Sequence, residues 1–317
     1  MLRGLFLFLI PGIAYANTDL SVSVDNARTA CTGIAKELSS MKTMAGVGTA
    51  VSSVGTVAGG TALGTGIAKA QVDKKADKIE TELAQEIERL NQLAQSQQAD
   101  SLAKITIPNN LVQTDSTARH DNNTSEEITE KQKELAQLNK TSKNLGDWRT
   151  GTMAASTATN IASMVMASTN RVTGDLKTKI NECLGAIQTL SNIRMQARIS
   201  QTADEAALEY AGKIVSACQA WKNVDIDSIN NKSTGAAISS GVGAGLGLAG
   251  TVTSATANSQ NVRQGDSDKE QKLNTASNIL AGGTTVASGV AVVFNATQIK
   301  TIKQAEAVAK ECEEALQ

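Results

Sequence analysis

The chain has 317 residues, 30 of them basic and 31 acidic, with a single histidine and only three Phe, two Tyr and two Trp. A balance so near neutral excludes electrostatic capture of nucleic acid, which draws its affinity from clustered Lys and Arg. The scarcity of aromatic rings removes stacking platforms for bases or sugars. With prolines only at 11 and 108 and few runs of alternating β-branched residues, helix is the expected state nearly throughout.

Residues 1–16 read as a secretory leader. Arg3 supplies the positive start, Leu5 to Ile10 the apolar core, and Ala14-Tyr15-Ala16 a small-x-small cleavage site. The apolar run is far shorter than the roughly 20 residues that span a bilayer, so cleavage before Asn17 is the expectation. The compartment that follows is exported: periplasm, cell envelope or medium.

From Asp25 a continuous helix is predicted to about Lys104, a reach of roughly 120 Å at 1.5 Å per residue. Val72, Ala76, Ile79, Leu83, Ile87, Leu90 and Ala94 recur at three- and four-residue steps, a coiled-coil-like stripe with mixed charges outside it. Between Ile105 and Glu126 the pattern gives way to Pro108-Asn109-Asn110 and Asp121-Asn122-Asn123-Thr124-Ser125, which predicts a loop. Helix resumes at Glu127 and continues past Trp148 and Cys183 to about Ile199. This first hairpin spans 17–200.

A second hairpin is predicted over 201–317. It opens with a helix around Ala206 to Trp221 and a polar break from Asp225 to Lys232. A long Gly/Ala helix from Gly235 and a turn near 261–268 at Gln264-Gly265-Asp266-Ser267 follow, and the last helix runs from about Lys269 to Leu316. The two halves resemble a diverged duplication, with echoes such as Gly59-Gly60-Thr61 beside Gly282-Gly283-Thr284. The fold class expected is all-α: two long antiparallel helical hairpins.

Cys31, Cys183, Cys218 and Cys312, in an exported chain, predict two disulfides. Antiparallel geometry narrows the pairing. The midpoint between Cys31 and Cys183 is Ile107, next to Pro108, and the midpoint between Cys218 and Cys312 is Gly265. Each midpoint lies on a turn identified without reference to the cysteines, so Cys31 is expected to pair with Cys183 and Cys218 with Cys312, stapling the open ends of the hairpins. The same register sets Gly46 opposite Ser168, Gly60 opposite Ala154, Gly241 opposite Gly289 and Gly247 opposite Gly283.

Four charge-free stretches stand out: Thr43 to Ala68, Thr150 to Asn170, Ser233 to Val262 and Leu273 to Ile299. Small-xxx-small steps run through them at Gly55 and Gly59, Gly60 and Gly64, Gly241 and Gly245, and Gly243 and Gly247, the spacing that lets helices touch closely. Together with Gly283 and Gly289 these are the expected helix-packing residues. Met44 to Ala68 offers only about −2 to −4 kcal/mol of insertion energy before its Gly, Ser and Thr are counted. A tightly packed seam in a soluble bundle is therefore the favoured reading, with Val47, Val51, Val54 and Ala58 as its buried face.

Catalytic chemistry is missing. His120, the single histidine, sits in the polar loop, where a surface role is expected in preference to a triad. No CxxC or His/Cys metal spacing occurs, and Gly241 to Gly250 lacks the Lys-Ser/Thr of a phosphate loop. The sequence predicts no catalytic, cofactor-binding or metal residue, no cofactor and no small-molecule substrate. The leading functional expectation is a non-enzymatic exported structural or interaction protein, a helical scaffold with a protein partner or copies of itself. The alternative is a membrane-active protein whose glycine-rich hairpins unpack and insert into a bilayer.

Overall fold

Long runs of Ala, Leu, Lys, Glu and Gln with few breakers favour helix, and several helix ends are marked by a left-handed residue, Gly33 or Gln201, or by a side-chain cap, Thr173 or Asp225. The computed structural model describes residues 11–104, 117–201, 203–259, 262–263 and 267–317, with side chains described within 19–92, 126–201, 203–259, 262–263 and 268–317. The helices are α1 (Pro11–Cys31), α2 (Ile34–Lys104), α3 (Thr117–Thr169), α4 (Gly174–Ser200), α5 (Glu205–Cys218), a 3-10 turn (Gln219–Asn223), α6 (Ile226–Ala257) and α7 (Ser267–Ala315). No strand occurs among the described residues. The protein is all-α and its long helices pair antiparallel.

Four boundaries differ from the sequence reading. The helix expected from Asp25 to Lys104 breaks at Gly33, whose φ of +89° lies in the left-handed region that glycine enters without penalty. The backbone N–H groups of Gly33 and Ala35, freed by the break, donate to Glu313 Oε1 at 3.0 and 3.1 Å, a carboxylate placed where the helix dipole favours it.

The return helix breaks after Thr169. Asn230 there clamps the Val172 backbone, accepting from its N–H at 2.7 Å and donating to its carbonyl at 3.3 Å, and Thr173 caps α4 by accepting from Leu176 N–H. The polar run from Asp225 to Lys232 is no break beyond its first residue. Asp225 accepts from the Ser228 N–H at 2.9 Å and the rest is the start of α6. Asp121 to Ser125, expected in a loop, belong to α3. Residues 105–116 and Gln264-Gly265-Asp266 lie outside the described residues, as do residues 1–10 of the expected leader; the expected cleavage point falls within α1.

The chain forms two units, each drawing on both sequence halves. Unit 1 takes the described residues up to Thr56, then Ala158–Ala244 and Val286–Gln317; unit 2 takes those within Val57–Thr157 and Gly245–Thr285. Unit 1 has an ordinary apolar core. Leu20 and Val24 of α1, Ile34 and Leu38 of α2, Ile180 and Leu190 of α4, Ile214 of α5, Trp221, and Ile302 and Leu316 of α7 are all buried together, each fully buried Leu or Ile contributing about 1.5–3 kcal/mol. Both disulfides lie inside this core. Cys31 bonds to Cys183 and Cys218 to Cys312, with Cα separations of 4.7 and 4.6 Å, so the register argument gives the pairs that form.

Unit 2 has a much smaller apolar cluster of Ala62, Met153 and Ala281, flanked by Leu63 and Leu280. Further along α2, Ala76, Ile79 and Leu83 of the three- and four-residue stripe are buried, Val72 and Leu90 are partly covered and Ile87 is exposed. Surface ion pairs such as Lys75 with Glu134 at 2.8 Å join α2 to α3 there, and pairs so exposed contribute little.

A candidate functional surface: polar seam, apolar exterior

The charge-free stretches form a seam in which the usual burial order is reversed. In unit 1 one polar side chain from each of four helices meets at a single level. Ser52 of α2 and Ser163 of α3 have their hydroxyls 2.5 Å apart, Ser240 of α6 donates to Ser163 at 3.0 Å, and Asn295 of α7 donates to Ser52 at 3.3 Å. One level away, Ser288 donates to Asn160 Oδ1 at 2.9 Å, against Gly55 and Gly243. Ser52, Asn160, Ser163, Ser240 and Ser288 each have 0 % exposure. Interhelical hydrogen bonds of this kind fix register, since any slip leaves a buried donor or acceptor unmet.

Unit 2 continues in the same style with charge added. Thr150 and Ser254 share a hydrogen bond of 2.9 Å, and Ser277 donates to the Gly250 carbonyl at 3.2 Å. Arg149 is wholly buried, donating through Nη1 and Nη2 to the Asn274 side chain and carbonyl at 3.1 and 2.9 Å. Burial pulls its pKa down to about 10. Lys69, also buried, bridges Asp73 at 2.7 Å and Glu270 at 2.6 Å, and Asp73 accepts in turn from Ser142. Burial, followed by the charges of Asp73, Glu80 and Glu270, raises the Asp77 carboxyl above its ordinary value. In unit 1, Glu306 is held below its ordinary value chiefly by its hydrogen bond with Lys42 at 2.5 Å.

Large apolar side chains take the outside. Val47, Val54, Val57 and Ile67 on α2, Ile161 and Val165 on α3, Val242 and Val252 on α6, and Ile279, Val286 and Val293 on α7 are exposed, Val57 and Ile279 to 70 %. The face of Val47, Val51, Val54 and Ala58 that the sequence reading assigned to the core is therefore not buried: Val47 and Val54 are open, while Val51 and Ala58 are partly covered. Interior positions have been taken instead by Ser52, Gly55 and Gly59. The physical reason is width. Four helices brought close by small residues leave no room for Val between them, and hydroxyls and amides fill the gap with hydrogen bonds.

The expected helix-packing glycines fall into two sets. A Cβ on Gly55 would lie 2.9 Å from Thr159 Oγ1, on Gly59 2.7 Å from Thr285 Oγ1, on Gly241 3.1 Å from Met164 Sδ and on Gly283 2.9 Å from Leu246 Cδ1, and one on Gly247 would strike Thr157. Gly60, Gly64, Gly245 and Gly289 face open space, as do Gly46 and Gly151. A Cβ on Gly283 would meet Leu246, next to the expected partner Gly247, while Cβ atoms on Gly241 and Gly247 would meet α3. Both α6 glycines turn their open face toward α3, because each unit packs the two hairpins against one another and α6 has two neighbours to satisfy. Sequence pattern within one hairpin carries no signal for the second neighbour.

The four sulfurs, placed by sequence at the ends of two separate hairpins, meet at one point: Sγ atoms of Cys31, Cys183 and Cys312 lie within 4.8 Å of one another, each buried. Paired as disulfides they carry no thiolate for a metal. His120 lies in α3, its side chain outside the described residues. An open depression on the outside of α3, lined by Asp147, Trp148, Gly151, Thr152 and Ala155, holds one titratable group among the described residues. It brings no acid and base together.

No family model, no curated protein and no solved structure matches this chain.

Proposed function

We propose that the protein is an exported, non-enzymatic interaction protein of the cell envelope or the secreted complement, a helical scaffold that works through its outer surface. One observation carries this reading. The polar groups of the seam are engaged with one another inside the helices, while large apolar side chains stand outside them, and apolar surface left outward marks where a partner binds. Two buried disulfides support an oxidising compartment. Burial accounts for the shift of Arg149 and the contact with Lys42 for that of Glu306, so neither calls for a reaction.

The test is expression of the full chain in a secreting host, with fractionation and size analysis. The expected outcome is a chain processed before Asn17, recovered outside the cytoplasm with both disulfides formed, and self-associated or bound to another macromolecule or to membrane. A reduced cytoplasmic monomer with no tendency to associate would overturn the reading.

A further inference from the structure

We infer that the partner of the outward apolar surface is the hydrocarbon of a phospholipid bilayer, and that the four charge-free helical segments lodge in it as an intact bundle with a polar interior. This rests on the reading that the protein acts through its surface, and names what the surface meets.

Length comes first. Thr43 to Ala68 rises about 39 Å along α2 and Thr150 to Asn170, the shortest segment, about 30 Å, at 1.5 Å per residue, against a hydrocarbon core of roughly 30 Å. Each segment is long enough by itself and none contains a charged residue. Windows inside Glu205–Ala257 and Asp268–Ala315 reach a mean hydropathy of 1.3 and 1.6 with most of their residues unburied. A core helix of a water-soluble protein would hide such a window.

Orientation comes second. Reckoned one helix at a time, the Ser, Thr and Asn residues of these segments make insertion unfavourable. In the folded chain much of that cost is met internally, because Ser52, Ser163, Ser240 and Asn295 bond across helices and Ser288 bonds to Asn160, as polar groups in lipid must, with Asn160 Nδ2, the Asn170 amide and Asn278 Oδ1 left without a partner among the described residues. The threonines that do face outward return their hydroxyls to their own helix. Thr61 donates to the Val57 carbonyl at 2.9 Å, Thr253 to Ala249 at 2.7 Å and Thr297 to Val293 at 2.9 Å, so a methyl group is what they present.

The borders come third. The first charged residue beyond each end of every segment is basic: Lys42 and Lys69, Arg149 and Arg171, Lys232 and Arg263, Lys272 and Lys300. Acids and bases are equally common in the chain, and basic residues are those that border a bilayer facing anionic headgroups. Lys69 and Arg149 turn inward, while Arg171, Lys272 and Lys300 are exposed. Trp148, one residue further out from Arg149, is 69 % exposed, in the position where tryptophan anchors at a membrane interface. The hairpins need not unpack to insert, since the lipid-compatible face is already outside.

The test uses the full oxidised chain, purified in mild detergent and reconstituted by detergent removal into vesicles of mixed zwitterionic and anionic phospholipid. The expected result is flotation that resists alkaline carbonate, with brominated lipid quenching Trp148 and sparing Trp221, which is buried in the unit 1 core. Val57→Lys combined with Val252→Lys, both at exposed positions, leaves helicity and disulfides intact and lowers the vesicle-bound fraction by about 10²-fold or more, given the cost of a lysine at mid-bilayer. Loss on carbonate treatment, unquenched Trp148, or lysine variants that float like the parent would overturn the inference. An oligomer that ignores vesicles and is dispersed by the same lysines would overturn it too, yet leave the surface-interaction reading standing. A monomer indifferent to both would remove the two together.

Discussion

Arg149 offers the sharpest test of how the seam is held. Its guanidinium is wholly buried and bonded to Asn274, with no carboxylate paired to it among the described residues. The fall of its pKa to about 10 corresponds to roughly 3 kcal/mol of disfavour for the charged form, at 1.36 kcal/mol per unit. Arg149→Met removes that penalty and leaves the Asn274 side-chain oxygen unmet, which costs about 1–3 kcal/mol. The single variant is therefore expected to lie within about 1 kcal/mol of the parent, and Arg149→Met with Asn274→Leu to be more stable by about 1–3 kcal/mol. Asn274→Ala alone, which removes the Oδ1 acceptor and leaves the guanidinium the residue's backbone carbonyl, is expected to lose about 1–3 kcal/mol.

The pH dependence has a defined sign. A base whose folded pKa is depressed opposes folding while it stays protonated, so the penalty holds below about pH 10 and is relieved as pH rises toward the unfolded value. Urea titrations read by far-UV circular dichroism, at pH 8 and at about pH 11, give the difference. If Arg149→Met costs 3 kcal/mol at both, the guanidinium anchors the seam and the reasoning is wrong.

Other perturbations separate the remaining contacts. Gly66→Ala is expected to lose about 1–3 kcal/mol, because its new methyl group meets the Asn278 amide and the Arg149 guanidinium, whereas Gly60→Ala, in open space, gains up to about 1 kcal/mol from helix propensity; thermal melts of the pair decide. Replacing Cys218 and Cys312 by Ser opens a loop of 94 residues and is expected to cost about 4–5 kcal/mol in the chain-entropy account, read from denaturant midpoints. Glu306, held below its ordinary 4.5 by Lys42 first and Lys310 after it, stabilises the fold above that pH and ceases to as pH falls through its folded value. Glu306→Gln should thus be less stable than the parent at pH 7 and indistinguishable from it near pH 2; an equal gap at both would exclude the ion pair as the cause.

Fold class and pairing were legible because both rest on order along the chain. The Ala76, Ile79, Leu83 stripe needs only local periodicity, and the disulfides need only an antiparallel register centred on Pro108 and Gly265. Which way each helix turns was not legible. Val47 and Val54 carry the same local signal whether they face protein or lipid, since the burial rule for water-soluble proteins assumes water outside. The break at Gly33 was hidden by a run of helix formers on either side, and its stabilising carboxylate, Glu313, is 280 residues away. Nothing local to Arg149 indicates that it points inward.

The meeting of four sulfurs bears on how the chain is oxidised. Cys312 lies within 4.8 Å of both Cys31 and Cys183, so a bond between Cys31 and Cys312 is a near neighbour of the native arrangement and no long excursion is needed to make it. Whichever bond closes first decides which partners remain for the other two cysteines. Yield then depends on thiols being reshuffled before the core of Leu38, Ile180 and Ile302 seals around them. Acid-quenched refolding followed by peptide mapping would register that competition as an early Cys31–Cys312 species which a disulfide isomerase depletes, and its absence at every time point would mean that helix packing precedes oxidation.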